Sequence, residues 1–257
     1  MIKNKFSVVI VTFNRSRELL FALNSVLKQK FQPSEIIIIN NHKNKILKKN
    51  FDTNFKKIKI INSNKNLQAA NGRNLGVSKS SFNYIAFLDD DDQWNLDYLQ
   101  KANSIINNNF PDAILTNIYK LNAKNQILKK IKNIIFQDCF VRNPGCMGSN
   151  LIVKKKKFLK IGGFNKKFVP AEDREFLIRM LLNKFTICIS KSKVFYNENN
   201  PTSITKNFSL TLTGHKNLMM KYKKYINFKN MMFIYFKLNK LKFTIEKNYI
   251  MKLLYLS

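Results

Sequence analysis

Acidic residues are scarce in this chain: 15 Asp and Glu stand against 46 Lys and Arg, a formal net charge of +31. Such an imbalance admits nucleic acid, an anionic membrane surface or phosphorylated substrates as partners, and a broad drift toward Lys and Asn would produce it with no binding role. The three cysteines, Cys139, Cys146 and Cys188, form no CxxC or pairable pattern. With no signal peptide in view, they point to a reducing cytoplasm. Cys146 reads as a buried inert thiol, because no triad surrounds it. Long apolar runs are missing too. The longest stretch free of Asp, Glu, Lys and Arg is Asn143 to Val153, too short to span a bilayer. Neither GxGxxG nor GxxxxGK occurs, which argues against a dinucleotide or P-loop site. His42 and His215 are isolated and take no assigned role.

What acid there is gathers in one place. Tyr84 to Trp94 reads Tyr-Ile-Ala-Phe-Leu-Asp-Asp-Asp-Asp-Gln-Trp, a short apolar run that delivers four carboxylates at its C-terminal end. Adjacent carboxylates repel one another, and desolvating them is costly, so such a cluster calls for a cation or basic groups nearby. In an extended segment Asp89 and Asp91 share one face and Asp90 and Asp92 the other, which makes Asp89 and Asp91 a pair suited to one hard divalent metal. A solvated acidic turn capping the helix expected from about Asn95 is the competing reading.

The 257 residues fit one α/β domain, alone or with an appended piece. Phe6 to Val11 is a β-branched strand ending in Thr12-Phe13-Asn14-Arg15. Leu19, Leu20, Ala22, Leu23, Val26 and Leu27 follow at helical spacing, with Ser16 as the expected cap. Ile36 to Ile39 is a second strand, completing a βαβ unit with right-handed crossover and parallel pairing. Lys57 to Ile61 is a third. The segment Asn66 to Gly76 is rich in small residues and contains Arg73, the one arginine between Arg17 and Arg142. Its planar fork suits a phosphate or base edge, and an ordinary ion pair is the alternative. The strands ending at Thr12, Asn40 and Leu88 would present their C-terminal ends on one edge, where open parallel sheets bind ligands.

These segments, Thr12-Phe13-Asn14-Arg15, Asn40-Asn41, Gly72-Arg73-Asn74-Leu75-Gly76 and Leu88 to Trp94, resemble in this order the family 2 glycosyltransferases of the GT-A fold. Farther on, Ile161-Gly162-Gly163-Phe164 and Pro170-Ala171-Glu172-Asp173 resemble the GGF turn and the ED pair of the family's acceptor half. The resemblance implies an α/β fold with a Rossmann-like, mostly parallel central sheet flanked by helices, spanning residues 1–213. Residues 1–100 would bind the nucleotide-sugar and 101–213 the acceptor. It further implies a nucleotide-diphosphate-sugar donor, with UDP foremost, contacted by Thr12, Phe13, Asn14, Arg15, Asn40, Arg73, Asp89 and Asp90. A Mn²⁺ or Mg²⁺ ion would sit on Asp91 and Asp89, Asp91 being the more direct ligand. Asp173 would be the base that deprotonates the acceptor hydroxyl, supported by Glu172, and the reaction would invert the anomeric centre.

Two positions depart from the family pattern. Asn40 stands where the family usually has Asp to accept from the nucleobase, and Gln68 stands where many relatives have Gly. Trp94 is expected to pack the following helix onto the sheet, Lys124 to Phe136 to form a hairpin or acceptor-side loop, and Thr202-Ser203-Ile204 to leave the core toward a loop over the donor.

From residue 214 to 257 lysines alternate with Met, Tyr and Phe, a basic helical extension that suits either an anionic bilayer surface or a cap with a solvated lysine face. The combined expectation is an enzyme moving a hexose or N-acetylhexosamine to a glycan or lipid-linked acceptor, in surface polysaccharide or lipooligosaccharide synthesis. It would work in the cytoplasm at the inner face of the plasma membrane, with no specific nucleic acid. A basic nucleic-acid-binding protein and a non-catalytic sugar-nucleotide binder are the rivals.

Overall fold

The computed structural model describes residues 3–47, 51, 57–63, 65–123, 126–200 and 207–254, with side chains described as far as residue 246. The Thr202-Ser203-Ile204 exit lies outside the described residues, as do the side chains of Lys247 and Lys252.

The β-branched runs form strands where their alternation would bury both faces. β1 (Phe6–Thr12), β2 (Glu35–Asn40), β3 (Ile58–Asn62) and β4 (Tyr84–Asp89) are the first four. β5 (Gln93–Trp94), β6 (Ala113–Lys120), β7 (Ile127–Lys129), β8 (Leu151–Lys154) and β9 (Ile187–Tyr196) complete one sheet. Its order is β3-β2-β1-β4-β8-β6-β9-β5, with β7 paired to β6. β3, β2, β1 and β4 run parallel. Beyond β4 the sheet is mixed, because β8 lies antiparallel to both β4 and β6, and β9 returns parallel to β6. The βαβ unit and the shared edge of β1, β2 and β4 are as the sequence reads.

The period of two sorts the core into two layers. Val8 and Ile10 of β1, Ile36 and Ile38 of β2, and Ala86 and Leu88 of β4 pack with Leu19, Leu23 and Val26 of α1 (Ser16–Leu27) and with Leu99 and Ile106 of α3 (Tyr98–Asn109). Their alternates Val9, Ile37, Ile39, Ile85 and Phe87 face the other layer. That layer holds α2 (Gln68–Ser78), α4 (Asp138–Val141), α5 (Lys155–Lys160) and α6 (Glu172–Leu182), followed by α7 (Phe208–Tyr222) and α8 (Phe228–Leu254).

Two local expectations change. α1 has Arg15, not Ser16, at its N-cap, and no side chain caps it. The helix after the acidic stretch starts at Tyr98, because Gln93 and Trp94 are first drawn into a pairing with β9. Of the two forms expected for Lys124 to Phe136, the described part contains the hairpin strand, β7 on β6. Trp94 does pack the helix: it stacks on Tyr98 at 4.2 Å between ring centroids, and its Nε1 donates to the Ser149 carbonyl over 2.8 Å.

The basic extension packs through one face. Leu218 and Tyr222 of α7 and Ile234 and Leu238 of α8 join the inner core. Met220, Phe228, Phe233, Phe236 and Phe243 stay exposed. No described helix is long and apolar enough to cross a membrane.

α2 lies close on the sheet because two of its residues lack a side chain. A Cβ at Gly72 would come within 2.7 Å of Val11 Cγ1, and one at Gly76 would overlap Val9 Cγ1 more severely. Val9 is fully buried and cannot yield cheaply. Gly76→Ala is therefore expected to cost about 1–3 kcal/mol of unfolding free energy, as overpacked cores do. Urea titration of the two proteins checks it, and an unchanged midpoint would contradict the close approach.

Candidate active site

The edge formed by the ends of β1, β2 and β4 carries the site. β4 stops at Asp89 and the chain turns at once, with the Asp92 amide donating to the Asp89 carbonyl over 3.2 Å. The turn breaks the strict alternation expected of an extended segment, yet it still separates the acids. Asp90 and Asp92 are buried, at 4% and 1% exposure, and Asp89 and Asp91 are the more open pair.

Each acid has its own partners. The Thr12 hydroxyl donates to Asp90 Oδ2 over 2.7 Å. Arg15 reaches Asp90 Oδ1 at 2.9 Å and Asp91 Oδ2 at 3.1 Å. It comes there because Asn14 takes a left-handed φ of 55° that turns the chain sharply after β1, a conformation Asn tolerates. Asp91 also accepts from the Asn200 amide, and Asp92 from the Ser149 hydroxyl and the Asn197 backbone amide. Phe13 is exposed and meets the His42 ring edge-on at 5.2 Å.

Arg73 is the hub. Only 4% exposed, it reaches Asp89 Oδ1 at 2.6 Å, Glu172 Oε1 at 3.3 Å and Asp173 Oδ1 at 3.4 Å. The fork that the sequence offers to a phosphate or base edge is thus engaged by three carboxylates, one at the end of β4 and two at the start of α6. Burial opposes its charge, and the three acids more than compensate, raising its pKa. Gly148 lies against the guanidinium so closely that a Cβ there would sit 2.7 Å from Cζ, and its amide donates to Asp173 Oδ2 over 3.1 Å.

Asn40 spends its amide locally. Nδ2 donates to the Asn44 carbonyl at 2.7 Å and to Asn62 Oδ1 at 2.8 Å, and Oδ1 accepts from the His42 amide at 3.0 Å. Gln68 opens α2 at φ 60°, in the left-handed region that glycine adopts without strain. That is the physical reason glycine suits this position.

The acids far outnumber the two arginines among them, and their titration reflects it. Burial, followed by the charges of Asp91 and Asp89, lifts Asp90 to about 7 against the pull of Arg15. Burial and Asp89 raise Asp91, and burial and Asp91 raise Asp92 well above the carboxylate range. Asp173 is pushed up to about 7 by burial and by Glu172, with Arg73 opposing. Glu172 is raised by burial, and its Oε2 is buried with no hydrogen-bond partner. Burial also raises the Cys146 thiol far from the reactive range, as its inert reading expects.

A hard divalent cation fits this donor set. No group of three or more metal-ligating side chains gathers among the described residues, and Mg²⁺-type sites commonly use one or two carboxylates plus water and substrate phosphate. Asp91 and Asp89 are the open pair, and the repulsion that raises Asp91 is what such an ion would relieve.

Sequence reasoning named Thr12, Arg15, Arg73, Asp89, Asp90, Asp91, Glu172 and Asp173, and the structure links them in two bonded groups centred on Arg15 and Arg73. Phe13 and Asn14 border the first of these, and Asn40 lies one strand away. Ser149, Gly148 and Asn200 were given no role. The run of small residues from Asn143 to Asn150 was the available signal for the first two, since a loop that approaches a buried guanidinium needs them. Nothing in the sequence distinguishes Asn200 from its many neighbouring asparagines.

The family model described as Glycosyl transferase family 2 matches residues 7–171. An uncharacterized glycosyltransferase of Methanocaldococcus jannaschii is 27% identical over 201 residues, covering 72% of this chain and 67% of the relative. The amylovoran biosynthesis glycosyltransferase AmsB of Erwinia amylovora is 30% identical over 106 residues, covering 39% of this chain and 35% of the relative. Among solved structures, residues 1–349 of S. aureus TarS in complex with UDP-GlcNAc superpose with a TM-score of 0.68 at 17% identity, covering 84% of this chain and 66% of that one. The α/β architecture is that of the GT-A fold.

Arg73→Met would leave three acids without their shared cation, at a cost of roughly 3–5 kcal/mol. Because the folded-state pKa of Asp173 is raised from 3.8 to about 7, the native state holds a proton that the unfolded chain has released. Stability from this group is therefore complete below the lower value and falls as pH rises through the upper one. Without Arg73 that fall extends higher, so the deficit measured by urea titration is expected to be larger near pH 8 than near pH 5. A deficit independent of pH would contradict the hub.

Proposed function

The chain belongs to glycosyltransferase family 2, and on that premise we propose that it moves a hexose or N-acetylhexosamine from a UDP-sugar to a hydroxyl of a glycan or lipid-linked acceptor, in surface polysaccharide or lipooligosaccharide synthesis. The observation that carries this reading is the bridge through Arg73. It joins the acid of the sheet edge to the two acids of α6, so that a leaving-group end and a base end meet within one side chain's span. TarS, whose structure includes UDP-GlcNAc, supports the choice of donor.

In this reading Asp173 accepts the proton of the acceptor hydroxyl. A carboxylate near 7 is better matched to that task at neutral pH than an ordinary one near 4. Gly148 and Arg73 hold its two oxygens and fix their direction. Glu172 shares Arg73 and helps bind the acceptor. Thr12 and Arg15 hold Asp90 and Asp91 at the donor end. Asp91 and Asp89 would hold a Mg²⁺ or Mn²⁺ ion, which supplies neutralisation of the charge that develops on the departing diphosphate. Attack opposite the leaving nucleotide inverts the anomeric centre, by the logic that separates inverting from retaining glycosidases. With Asn40 committed to Asn44 and Asn62, selectivity among bases is expected to be looser than an Asp would give.

The reading is tested by supplying a panel of UDP-, GDP- and dTDP-sugars with Mn²⁺ and following nucleotide release. At least one UDP-sugar is expected to turn over. Chelation and Asp91→Asn should both abolish turnover, and Asp173→Asn should lower kcat about 10²–10⁴-fold, the usual contribution of a general base. Wild-type kcat/KM should fall as pH drops below about 7. Turnover that survives Asp91→Asn or chelation would contradict the metal reading, and full activity of Asp173→Asn would contradict the base.

The outward face of α8 supports an anionic membrane surface as the place of action. Phe233, Phe236 and Phe243 stand exposed there among Lys229, Lys240 and Lys242. Burying a Phe contributes roughly 1.5–3 kcal/mol, so changing these three to Ser should weaken sedimentation with phosphatidylglycerol vesicles at least about tenfold. Unchanged sedimentation would remove α8 from the contact.

A further inference from the structure

Four of the six arginines hold carboxylates: Arg15, Arg73, Arg142 and Arg179. Arg174 does not. It is 4% exposed, its Nε is sealed from solvent without a hydrogen-bond partner, and no ion pair reaches it among the described residues. Its place makes the charge harder to bear, because it lies in the first turn of α6, where the helix end is already positive.

One neighbour adds to the positive charge and the others are neutral. Lys237 of α8 and His215 of α7 both lie within its field, and Cys139 of α4 is the remaining neighbour. Burial lowers Arg174 to about 10. Burial, with Arg174 and Lys237 adding to it, pushes His215 down to about 3. Burial and Arg174 lower Lys237. His215 Nδ1 lies 2.8 Å from the Thr211 carbonyl, which can only accept, so the proton sits on Nδ1 and Nε2 is left over. The Lys237 ammonium donates to the Val141 carbonyl over 3.3 Å. The nearby acids are already committed, Asp138 to Arg142 and Glu175 to Arg179, Lys221 and Tyr222. Two cations, Arg174 and Lys237, and the neutral ring of His215 thus come from three helices, neither cation has an ion pair among the described residues, and His215 and Lys237 are partly open to solvent.

An uncompensated buried cation destabilises a fold strongly. An anion would reverse that cost, and a phosphate suits the planar fork of Arg better than a point charge would. We propose that Arg174, His215 and Lys237 form a binding site for a phosphate group, separate from the acids gathered about Arg15 and Arg73. It stands whether or not the transfer reaction proposed above is correct.

The test is thermal denaturation of the full chain at constant ionic strength, in chloride, in inorganic phosphate, and in glycerophosphoglycerol, the soluble headgroup of phosphatidylglycerol. A saturable rise in Tm is expected, since a ligand of the native state stabilises it. A rise with inorganic phosphate identifies a free phosphate as the occupant, and a rise with the diester alone identifies a lipid headgroup. Arg174→Met is expected to be more stable than the wild type in chloride and to lose the rise. Lys237→Gln, at the open rim, should fold normally and weaken the response about tenfold, the loss of one charge-assisted hydrogen bond. No rise with either ligand would overturn the proposal. A rise that persists unchanged in Arg174→Met, or in Lys237→Gln should Arg174→Met fail to fold, would do the same.

Discussion

A buried arginine held by three carboxylates sets the geometry of this molecule. Arg73 comes from α2, Asp89 from the end of β4, and Glu172 and Asp173 from the first turn of α6. Those elements share the inner hydrophobic core, and Arg73 fixes how their polar ends meet at its margin. The arrangement is paid for in desolvation, and the geometry that offsets this cost is demanding. α2 must lie close on the sheet, which Gly72 and Gly76 permit, and the loop before β8 must pass the guanidinium at Gly148. Three of the seven glycines therefore serve the position of one side chain.

The same constraint shapes the electrostatics on which the proposed chemistry rests. Two arginines stand against the four acids of the turn and the two of α6, and burial with mutual repulsion raises Asp90 and Asp173 to about 7. A surplus of negative charge at the open end of a parallel sheet invites a divalent cation and the diphosphate it would accompany. A carboxylate near 7 beside it is matched to proton transfer. The proposed transfer would use both, within reach of one another.

Much of this was legible in the sequence. β1 and β2 declare themselves by β-branched runs and β4 by a short apolar one, and their order predicts the shared edge. The four acids after Leu88 and the pair before Arg174 are visible as clusters against a lysine-rich background. What could not be read was the pairing across distance. Arg73 reads equally as a fork for a phosphate or base edge and as an ordinary ion pair, and the acids that make the second reading arrive from 16 and about 100 residues away. Asn40 stands where the family usually has Asp, and its local hydrogen bonds to Asn44 and Asn62 are contacts that only the fold reveals. Ser16 looked like a cap because hydroxyls favour that place, whereas the turn at Asn14 puts Arg15 there, where it can also reach Asp90 and Asp91. The basic tail allowed two readings, and the structure shows why both had support: one face of α7 and α8 joins the core and the other carries exposed aromatic side chains.

The central claim is that Arg73 makes the acid of β4 and the acid of α6 one unit. A double-mutant cycle on Asp89→Asn and Asp173→Asn, read as unfolding free energy in urea, tests it most directly. Coupled residues in one charged network depart from additivity by about 0.5–3 kcal/mol, and that departure is expected here. Single-variant effects that add to within about 0.3 kcal/mol would contradict it, because sites that share no partner behave that way.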